Sequence, residues 1–504
     1  MRWLIASAIT LCAFIHRCAA KHNASTSVTD LPRFHITFTP DLTLENYQLH
    51  GTIVLDGTFA PNETFLMLPT ELFSLPSTRD GGRGLVAFDR KGPIELSFHE
   101  TTGPYSQPHR LWTAQRTTNG PITVQFTHRP VLVNASALPG PHYDLRNGTD
   151  GLVGTMWAVV PAPSPLSSDQ YNISLTWNIT EQQSAAFTWK DGRGRHSYQS
   201  IGTLNQFLQT FFMVGCIQGY PDIPAKTKFG MYWMDAPPFN VSDVGNYVNK
   251  FLEYSTEFWK DQSGQPYRVF ARINEENAVT PGGSALLRSF AFGYNKEAGI
   301  SPNRIRTLLA HEMTHNWTPW RDGTLAEGSR YNEGAAEYWS LRLLWRTGLM
   351  AADDYLLEMN NRAYNYYTNP AVNMSDETAH EIAWTMRPAQ RIPYGRGLLH
   401  FLNIDAQLRA SHLGMLDDLA VAFAQICQQQ DACGGPEWFQ LLSEKLGAVA
   451  VDEWNHVSNG SSLIKPLDGS LGPCFDVVQN SSSPIVWTWK AKSGLDISSP
   501  DCLI

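Results

Sequence analysis

The sequence predicts an α+β fold, with a β-sandwich over residues 21–200 followed by a mixed and then mainly helical remainder. Three observations carry this. Runs of period two fill the first part: Ile94, Leu96 and Phe98, and again Ile122, Val124 and Phe126, alternate with polar residues between Gly, Pro and Asn-Gly punctuation. From about residue 205 the spacing changes, and Val244, Tyr247, Val248, Phe251, Leu252, Ser255 and Phe258 recur at helical intervals. At 504 residues the chain has enough surface to bury for two or three domains.

The elements follow in order. Arg2, the mostly apolar stretch Trp3–Ile15 and the small-residue site Cys18-Ala19-Ala20 read as a signal peptide over residues 1–20. Its thirteen residues fall short of the roughly 20 that a membrane span needs, an uncleaved anchor being the alternative. In Asn172–Thr180, Ile173, Leu175, Trp177 and Ile179 alternate with Asn172, Ser174, Thr176 and Asn178, a half-buried strand with both asparagines facing solvent. Ser242 reads as the N-cap of the helix that runs to Phe258. Tyr267–Asn274 reads as a strand leading to Gly282-Gly283. Ser301-Pro302 starts a helix, with Ile305, Leu308 and Leu309 on its buried face. Further helices are expected over 331–347 (closed by Gly348), 395–411, 416–429 and 436–446. The last forty residues, 465–504, form an irregular or β-rich appendage.

Composition bounds the class. Hydrophobic content of 42% with 12% aromatics is that of a globular protein, and a net charge of −9 has no basic stripe to suggest nucleic acid. Loss of the leader leaves 36 basic against 47 acidic side chains, and no second apolar stretch suggests a membrane span in the mature chain. N-x-[ST] occurs at Asn23, Asn62, Asn134, Asn147, Asn172, Asn178, Asn240, Asn373, Asn459 and Asn480, expected to carry glycans, and at Asn316, expected to stay bare. Leader and sequons together predict a secreted glycoprotein. Five cysteines survive cleavage; proximity pairs Cys427 with Cys433 and Cys474 with Cys502, leaving Cys216 free and buried.

The run His311-Glu312-Met313-Thr314-His315 carries the chemistry. Histidines four apart on a helix stand on one face about one turn (5.4 Å) apart, so their imidazoles can share one zinc ion. Glu312 then lies beside the metal's open side, placed to take a proton from the attacking water. A catalytic zinc needs a third protein ligand. Glu333, in Asn332-Glu333-Gly334, is the candidate, with Glu337 and Glu327 as substitutes. One Zn2+ per chain is expected. His400 reads as a structural histidine, and Trp317, Tyr338 and Trp339 as core.

HEMTHNW, then YNEGAAEY, then Tyr394-Gly395-Arg396-Gly397 resemble gluzincin zinc metallopeptidases of the glycyl aminopeptidase family, related to aminopeptidase N. The resemblance implies a thermolysin-like catalytic domain over 201–348 and a helical domain over 349–464 that contributes the catalytic tyrosine. It implies zinc on His311, His315 and Glu333, with Glu312 as general base. Glu337 becomes the carboxylate behind a ligand imidazole, and Tyr394 the phenol that donates to the developing oxyanion. Gly282, Gly283, Ser284 and Ala285 occupy the substrate-binding edge segment. Two departures stand out. Seventeen residues, Asn316–Asn332, separate His315 from Glu333, one fewer than in the aminopeptidase N pattern, and the stretch from Arg321-Asp322-Gly323 to Glu327-Gly328-Ser329 reads as the surface loop that absorbs the loss. Ala285 stands where relatives place the glutamate that grips the substrate's α-amine, with Glu275 or Glu276 as possible replacements.

These readings make the chain a secreted zinc metallopeptidase of the aminopeptidase type, acting on peptide substrates by water activated at the zinc. A thermolysin-type endopeptidase is the alternative that Ala285 favours. A non-enzymatic secreted glycoprotein that keeps the fold is the third, and the intact ligand set, base and tyrosine speak against it.

Overall fold

The computed structural model describes residues 31–503 apart from 44–46, 74, 103–106, 134–140, 165, 167–168, 275–281, 296–300, 321–323, 384, 430–432 and 481–483. The leader, Asn23, Asn134, Glu275, Glu276 and the side chain of Asn480 therefore lie outside the described residues. The fold is mixed α+β, with a helical C-terminal part. It divides into two compact units. One takes the described chain up to Gly245 together with Gly264–Pro302, and the other takes Asn246–Ser263 and the described chain from Asn303.

The first unit is built mainly of strands. Its seven-stranded sheet runs in the order His196–Thr203, Gln170–Trp177, Arg33–Asp41, Gln48–Leu55, Ile122–His128, Val86–Asp89 and Gly92–Ile94. The alternation of Ile122, Val124 and Phe126 buries all three, and Val124 pairs with the buried Ile53. Phe126 pairs with Gly51, where an added Cβ would sit 2.2 Å from the phenyl ring; only glycine lets the ring cross that strand. Ile173, Leu175 and Trp177 are buried as expected, while Asn178 is exposed and donates from its Nδ2 to Thr39 Oγ1 at 3.1 Å. Ser174, on the polar register, is nonetheless buried, because its strand is flanked on both sides by neighbours.

The alternation at Leu96 and Phe98 does not mark a buried face. Leu96–Thr102 is an edge strand of a four-stranded sheet and Phe98 is 55% exposed, its ring covered instead by the Arg110 guanidinium at 4.8 Å. Cys216 is free, but exposed rather than buried: the strand Phe211–Gly215 ends at Gly215, whose φ of +133° turns the chain outward.

A five-stranded sheet closes this unit, in the order Gln218–Tyr220, Phe229–Trp233, Tyr267–Ile273, Ser289–Tyr294 and Gly282–Leu286. Its three inner strands pair in parallel and are almost continuously buried, as expected of parallel strands covered on both faces. Gly282–Leu286 forms an antiparallel edge.

Helices dominate the second unit. The helix Val241–Phe258, which runs into it, is capped by Asn240 rather than Ser242: Asn240 Oδ1 accepts from the Ser242 and Asp243 amides at 3.1 and 3.2 Å. The core gathers Trp320, Tyr331, Phe401, Phe423, Trp438 and Trp454, with ring centroids about 5–6 Å apart. Both proposed cystine pairs are formed, Cys427–Cys433 and Cys474–Cys502. Among the described residues no helix is long and apolar enough to cross a membrane.

The last forty residues contain a docked β-hairpin. Phe475–Asn480 and Val486–Ala491 form a hairpin that docks on the helix Ala352–Tyr367. Asn360 donates from Nδ2 to Trp489 O at 2.9 Å and accepts from Trp489 N at 2.8 Å, closing a two-bond ring, while Tyr367 meets Trp487 at 5.3 Å. Replacing Asn360 by Ala leaves both Trp489 backbone groups without that partner, which costs about 1–3 kcal/mol. Hydrogen exchange read by mass spectrometry should then show faster exchange over 475–491 and unchanged rates in the helix Ile392–Ala410; unchanged exchange of the hairpin would contradict this account of its docking.

Candidate metal centre and active site

The motif helix Pro302–Thr314 buries Ile305, Leu309 and Met313, which turns His311 toward the interior. His315 follows the helix in a turn that keeps the four-residue spacing, so the two Nε2 atoms stand 3.2 Å apart with the rings edge to face. Trp317 anchors this turn. Its indole N–H donates to Asp261 Oδ2 at 3.1 Å and its ring lies parallel to Trp259. Asn316 Nδ2 donates to Met313 O at 2.7 Å, so the amide nitrogen of this sequon is already engaged.

Glu333 comes from the helix Leu325–Arg346, whose N-cap Thr324 accepts from the Glu327 amide. The helix starts earlier than expected. Glu327, Gly328 and Ser329 are helical rather than a surface loop, because Gly328 packs against Trp320, where a Cβ would stand 2.8 Å from the indole. Glu333 Oε2 lies 3.2 Å from His311 Nε2 and 3.9 Å from His315 Nε2. Two ligand atoms on a tetrahedral zinc, each bonded at about 2.0–2.1 Å, are about 3.3 Å apart, so this triangle has the size the ion requires. Among the described residues these three are the group able to hold a metal, and neither Glu327 nor Glu337 completes it.

The surrounding charges tune the set. Glu337 Oε1 stands 3.6 Å from His311 Nδ1, behind the ligand ring, and its other oxygen accepts from Arg362, which also pairs with Glu358. Burial would push the Glu337 carboxyl up, but Arg362 and His311 outweigh it and hold it down. Burial likewise pushes His311 down, yet its hydrogen bond to Glu333 and the charges of Glu337, Glu333 and Glu312 bring it up to about 9 in the metal-free state. Burial lowers His315 to about 4 and raises Glu312 to about 7, the latter against the opposing charges of His311 and Arg391.

Tyr394 lies in the first turn of the helix Ile392–Ala410, with its ring parallel to His311 at 5.7 Å. Burial, and then the Glu333 charge, raises its phenol well above the ordinary value, so it stays protonated as a donor. Two glycines bring it there. A Cβ on Gly334 would stand 2.4 Å from Gly397 Cα, and one on Gly397 would stand 2.4 Å from Arg330 O, so the two helices cross backbone on backbone. Arg396, for which the motif alone suggests no role, ties the same helix down: Nη1 donates to Asp376 at 2.6 Å and Nη2 to the Val372 and Met374 carbonyls. His400 sits in the core against Trp454, where burial and the charge of Arg330 hold it well below its ordinary pKa.

Gly282, Gly283, Ser284 and Ala285 lie on the edge strand in the first unit. Ser284 Oγ accepts from the His142 amide at 2.9 Å, and the Ala285 carbonyl accepts from Tyr143 Oη at 3.3 Å. Sequence reasoning missed Arg362, Asp261 and Arg391. No motif signals them, since each acts through a neighbour distant in sequence or through a single stacked ring.

A proton balance follows from the raised His311. Its imidazole is protonated at pH 7 without metal and must be neutral to bind zinc, so loading at pH 7 should release at least one proton. Below a pH of about 9 the zinc affinity should weaken as pH falls, by up to tenfold per unit. Calorimetry in buffers of different ionisation enthalpy measures the released proton; zero release at pH 7 would show that His311 is not held by Glu333 in this way.

No family model matches the chain, and no curated protein matches its sequence. Solved structures do match. An aminopeptidase N family protein from Idiomarina loihiensis, 14% identical, aligns over 86% of this chain and 77% of that one with a TM-score of 0.65. An M1 zinc metallopeptidase from Deinococcus radiodurans, a mutant bound to a Tyr-Ser-Ala substrate, is 15% identical over 87% of this chain and 96% of its own, with a TM-score of 0.54. The same metallopeptidase without the mutation gives 13% identity and a TM-score of 0.53. At these identities the likeness is one of fold, and this chain has the α+β fold of the M1 aminopeptidases.

Proposed function

We propose that this chain is a secreted, zinc-dependent peptidase of the aminopeptidase type. The observation that carries the reading is the triangle of His311 Nε2, His315 Nε2 and Glu333 Oε2, with sides of 3.2, 3.2 and 3.9 Å, which matches one tetrahedral zinc. The solved structures similar in fold support it: one is an aminopeptidase N family protein, and another is a zinc metallopeptidase that holds a tripeptide substrate. We read the strand-rich part as a β-sandwich and the zinc-bearing part as thermolysin-like, as the family resemblance implies.

When bound, zinc supplies a Lewis acid that polarises the scissile carbonyl and lowers the pKa of a water. Glu312, raised to about 7 by burial, takes the water's proton and passes it to the leaving amine. Tyr394 donates from its hydroxyl to the tetrahedral oxyanion, an effect typically worth about 3 kcal/mol. Glu337, braced by Arg362, orients His311. We assign Gly282, Gly283, Ser284 and Ala285 to the substrate backbone, received by strand addition along the sheet edge. Export is supported by the leader, by two cystines and by exposed sequons at Asn62, Asn147, Asn178, Asn240, Asn373 and Asn459.

Two measurements test the roles. Glu312→Gln should retain zinc and lose nearly all peptide turnover, whereas Glu333→Gln, His311→Ala or His315→Ala should lose the zinc itself. Metal analysis beside a fluorogenic peptide assay separates the two; full activity of the native chain in a strong chelator would refute the reading. The methyl of Ala285 favours a second reading, that of an endopeptidase. Alanine cannot bond an ammonium, and a charge-assisted hydrogen bond is worth about 1.5–3 kcal/mol, or roughly ten- to a hundredfold in selectivity. Native enzyme should therefore discriminate only weakly between free and acetylated N-termini of the same peptide. A preference for the free amine above about a hundredfold would exclude the endopeptidase reading.

A further inference from the structure

The edge strand Gly282–Leu286 pairs on one side only, with Ser289–Tyr294. Which of its backbone groups point outward follows from the register. The Arg288 and Tyr294 carbonyls accept from the Arg268 and Asn274 amides at 3.1 and 2.9 Å. Successive residues of a strand direct their N–H and C=O groups to opposite sides. Phe290 and Phe292 therefore face Tyr267–Ile273 as well, while Ser289, Ala291 and Gly293 face the edge strand. Those three stand opposite Leu286, Ser284 and Gly282. Gly283 and Ala285 are left with their N–H and C=O groups turned outward, where a further strand would add.

One of these groups is already engaged. Tyr143 donates from its hydroxyl to the Ala285 carbonyl at 3.3 Å. The side chain has little freedom to leave: Tyr143 is 1% exposed, and its ring packs among Phe73, Trp157 and Phe211. The preceding residue grips the same strand, its amide donating to Ser284 Oγ. Added strands lie about 4.7–4.9 Å from their neighbour, so this hydroxyl fills the place where an incoming N–H would meet Ala285. The Gly283 carbonyl remains as the strand's one outward acceptor. Its peptide is held flat, since a Cβ there would stand 1.9 Å from the Phe290 ring. We infer that Tyr143 closes the edge at Ala285 and so sets the register of the substrate, whose backbone is received on Gly283 through a single N–H. Antiparallel and parallel addition give the same result, because in either direction the next donor along the peptide meets Tyr143. The inference rests on the peptidase reading for the word substrate; the closure of the edge does not.

An ester scan tests it. The tightest binder of a mixed-sequence hexapeptide library is remade with each backbone N–H in turn replaced by an ester oxygen, which removes the donor and little else. Each peptide is titrated by calorimetry into the zinc-loaded full chain carrying Glu312→Gln. A strand that continued along the edge would lose affinity at two positions two residues apart. The closed edge predicts that no such pair exists: an ester at the N–H that meets Gly283 weakens binding about three- to tenfold, and one two residues away in either direction by less than about twofold. Adding Tyr143→Ala, which removes the hydroxyl and the ring, should make a second N–H sensitive, two residues from the first. Tyr143→Leu, which keeps an apolar side chain in that core, serves where the alanine chain loses its near-UV circular dichroism or its zinc. A sensitive pair in the chain with native Tyr143, a pattern unchanged in a folded Tyr143 variant, or no binding of any hexapeptide overturns the inference. Turnover of the parent peptide by the chain with native Glu312 reads the other question. One sensitive N–H without turnover sinks the peptidase reading and leaves the closed edge standing; turnover with a sensitive pair sinks the closed edge alone.

Discussion

The contact of Gly334 against Gly397 is the constraint on which the rest of the centre depends. Helices normally cross with side chains between them and axes about 8–10 Å apart. Here an added methyl on either glycine would collide with backbone atoms of the other helix at 2.4 Å. That approach brings Tyr394 from one helix to the face of another that carries Glu333, with its ring 5.7 Å from His311. Backbone collisions cannot be relieved by a rotamer change. Each motif glycine thus has a steric reason of its own, separate from the chemistry of its neighbours.

Around this crossing the unit is tied by buried ion pairs. Asp376 forms ion pairs with both Arg330 and Arg396, and Arg342 meets Asp405 at 3.0 Å with neither side chain exposed. Buried pairs of this kind contribute little net stability, but breaking one strands a charge. They therefore specify geometry: Arg330 lies on the Glu333 helix and Arg396 on the Tyr394 helix, and one carboxylate holds both. The metal-free centre is balanced in the same way. Glu312, Glu333 and Glu337 crowd together, and His311 offsets them by keeping its proton while Arg362 pairs with Glu337. In the proposed zinc-loaded state, His311 would give up that proton and the bound cation would supply the neutralising charge.

Much of the fold was legible where one period rules a whole element. The strand at Ile122–His128 and the helices at Val241–Phe258 and Leu416–Gln429 keep a single repeat because one face is buried throughout. The misreadings share a cause. Leu96 and Phe98 alternate correctly but lie on a sheet edge, so the apolar face meets solvent and an arginine. Glu327-Gly328-Ser329 has loop composition and is helical because Trp320 packs against the glycine. Asn240 outcompetes Ser242 as cap because its oxygen reaches two amides. In each case a neighbour distant in sequence, or one local contact of better geometry, overrides composition.

By itself the sequence determined the parts of the centre that lie within one turn of helix. His311 and His315 share a face because 3.6 residues make a turn, and Glu312 adjoins them whatever the rest of the chain does. Glu337 lies one turn after Glu333 for the same reason. Tertiary structure alone decided that Glu333, rather than Glu327 or Glu337, closes the triangle, and that Arg362 and Asp261 stand behind it. It also decided that the Arg391 guanidinium lies over the Tyr394 ring. Helical period acts over a few residues, whereas these distances depend on how closely two helices can cross, which is set by packing between segments tens of residues apart.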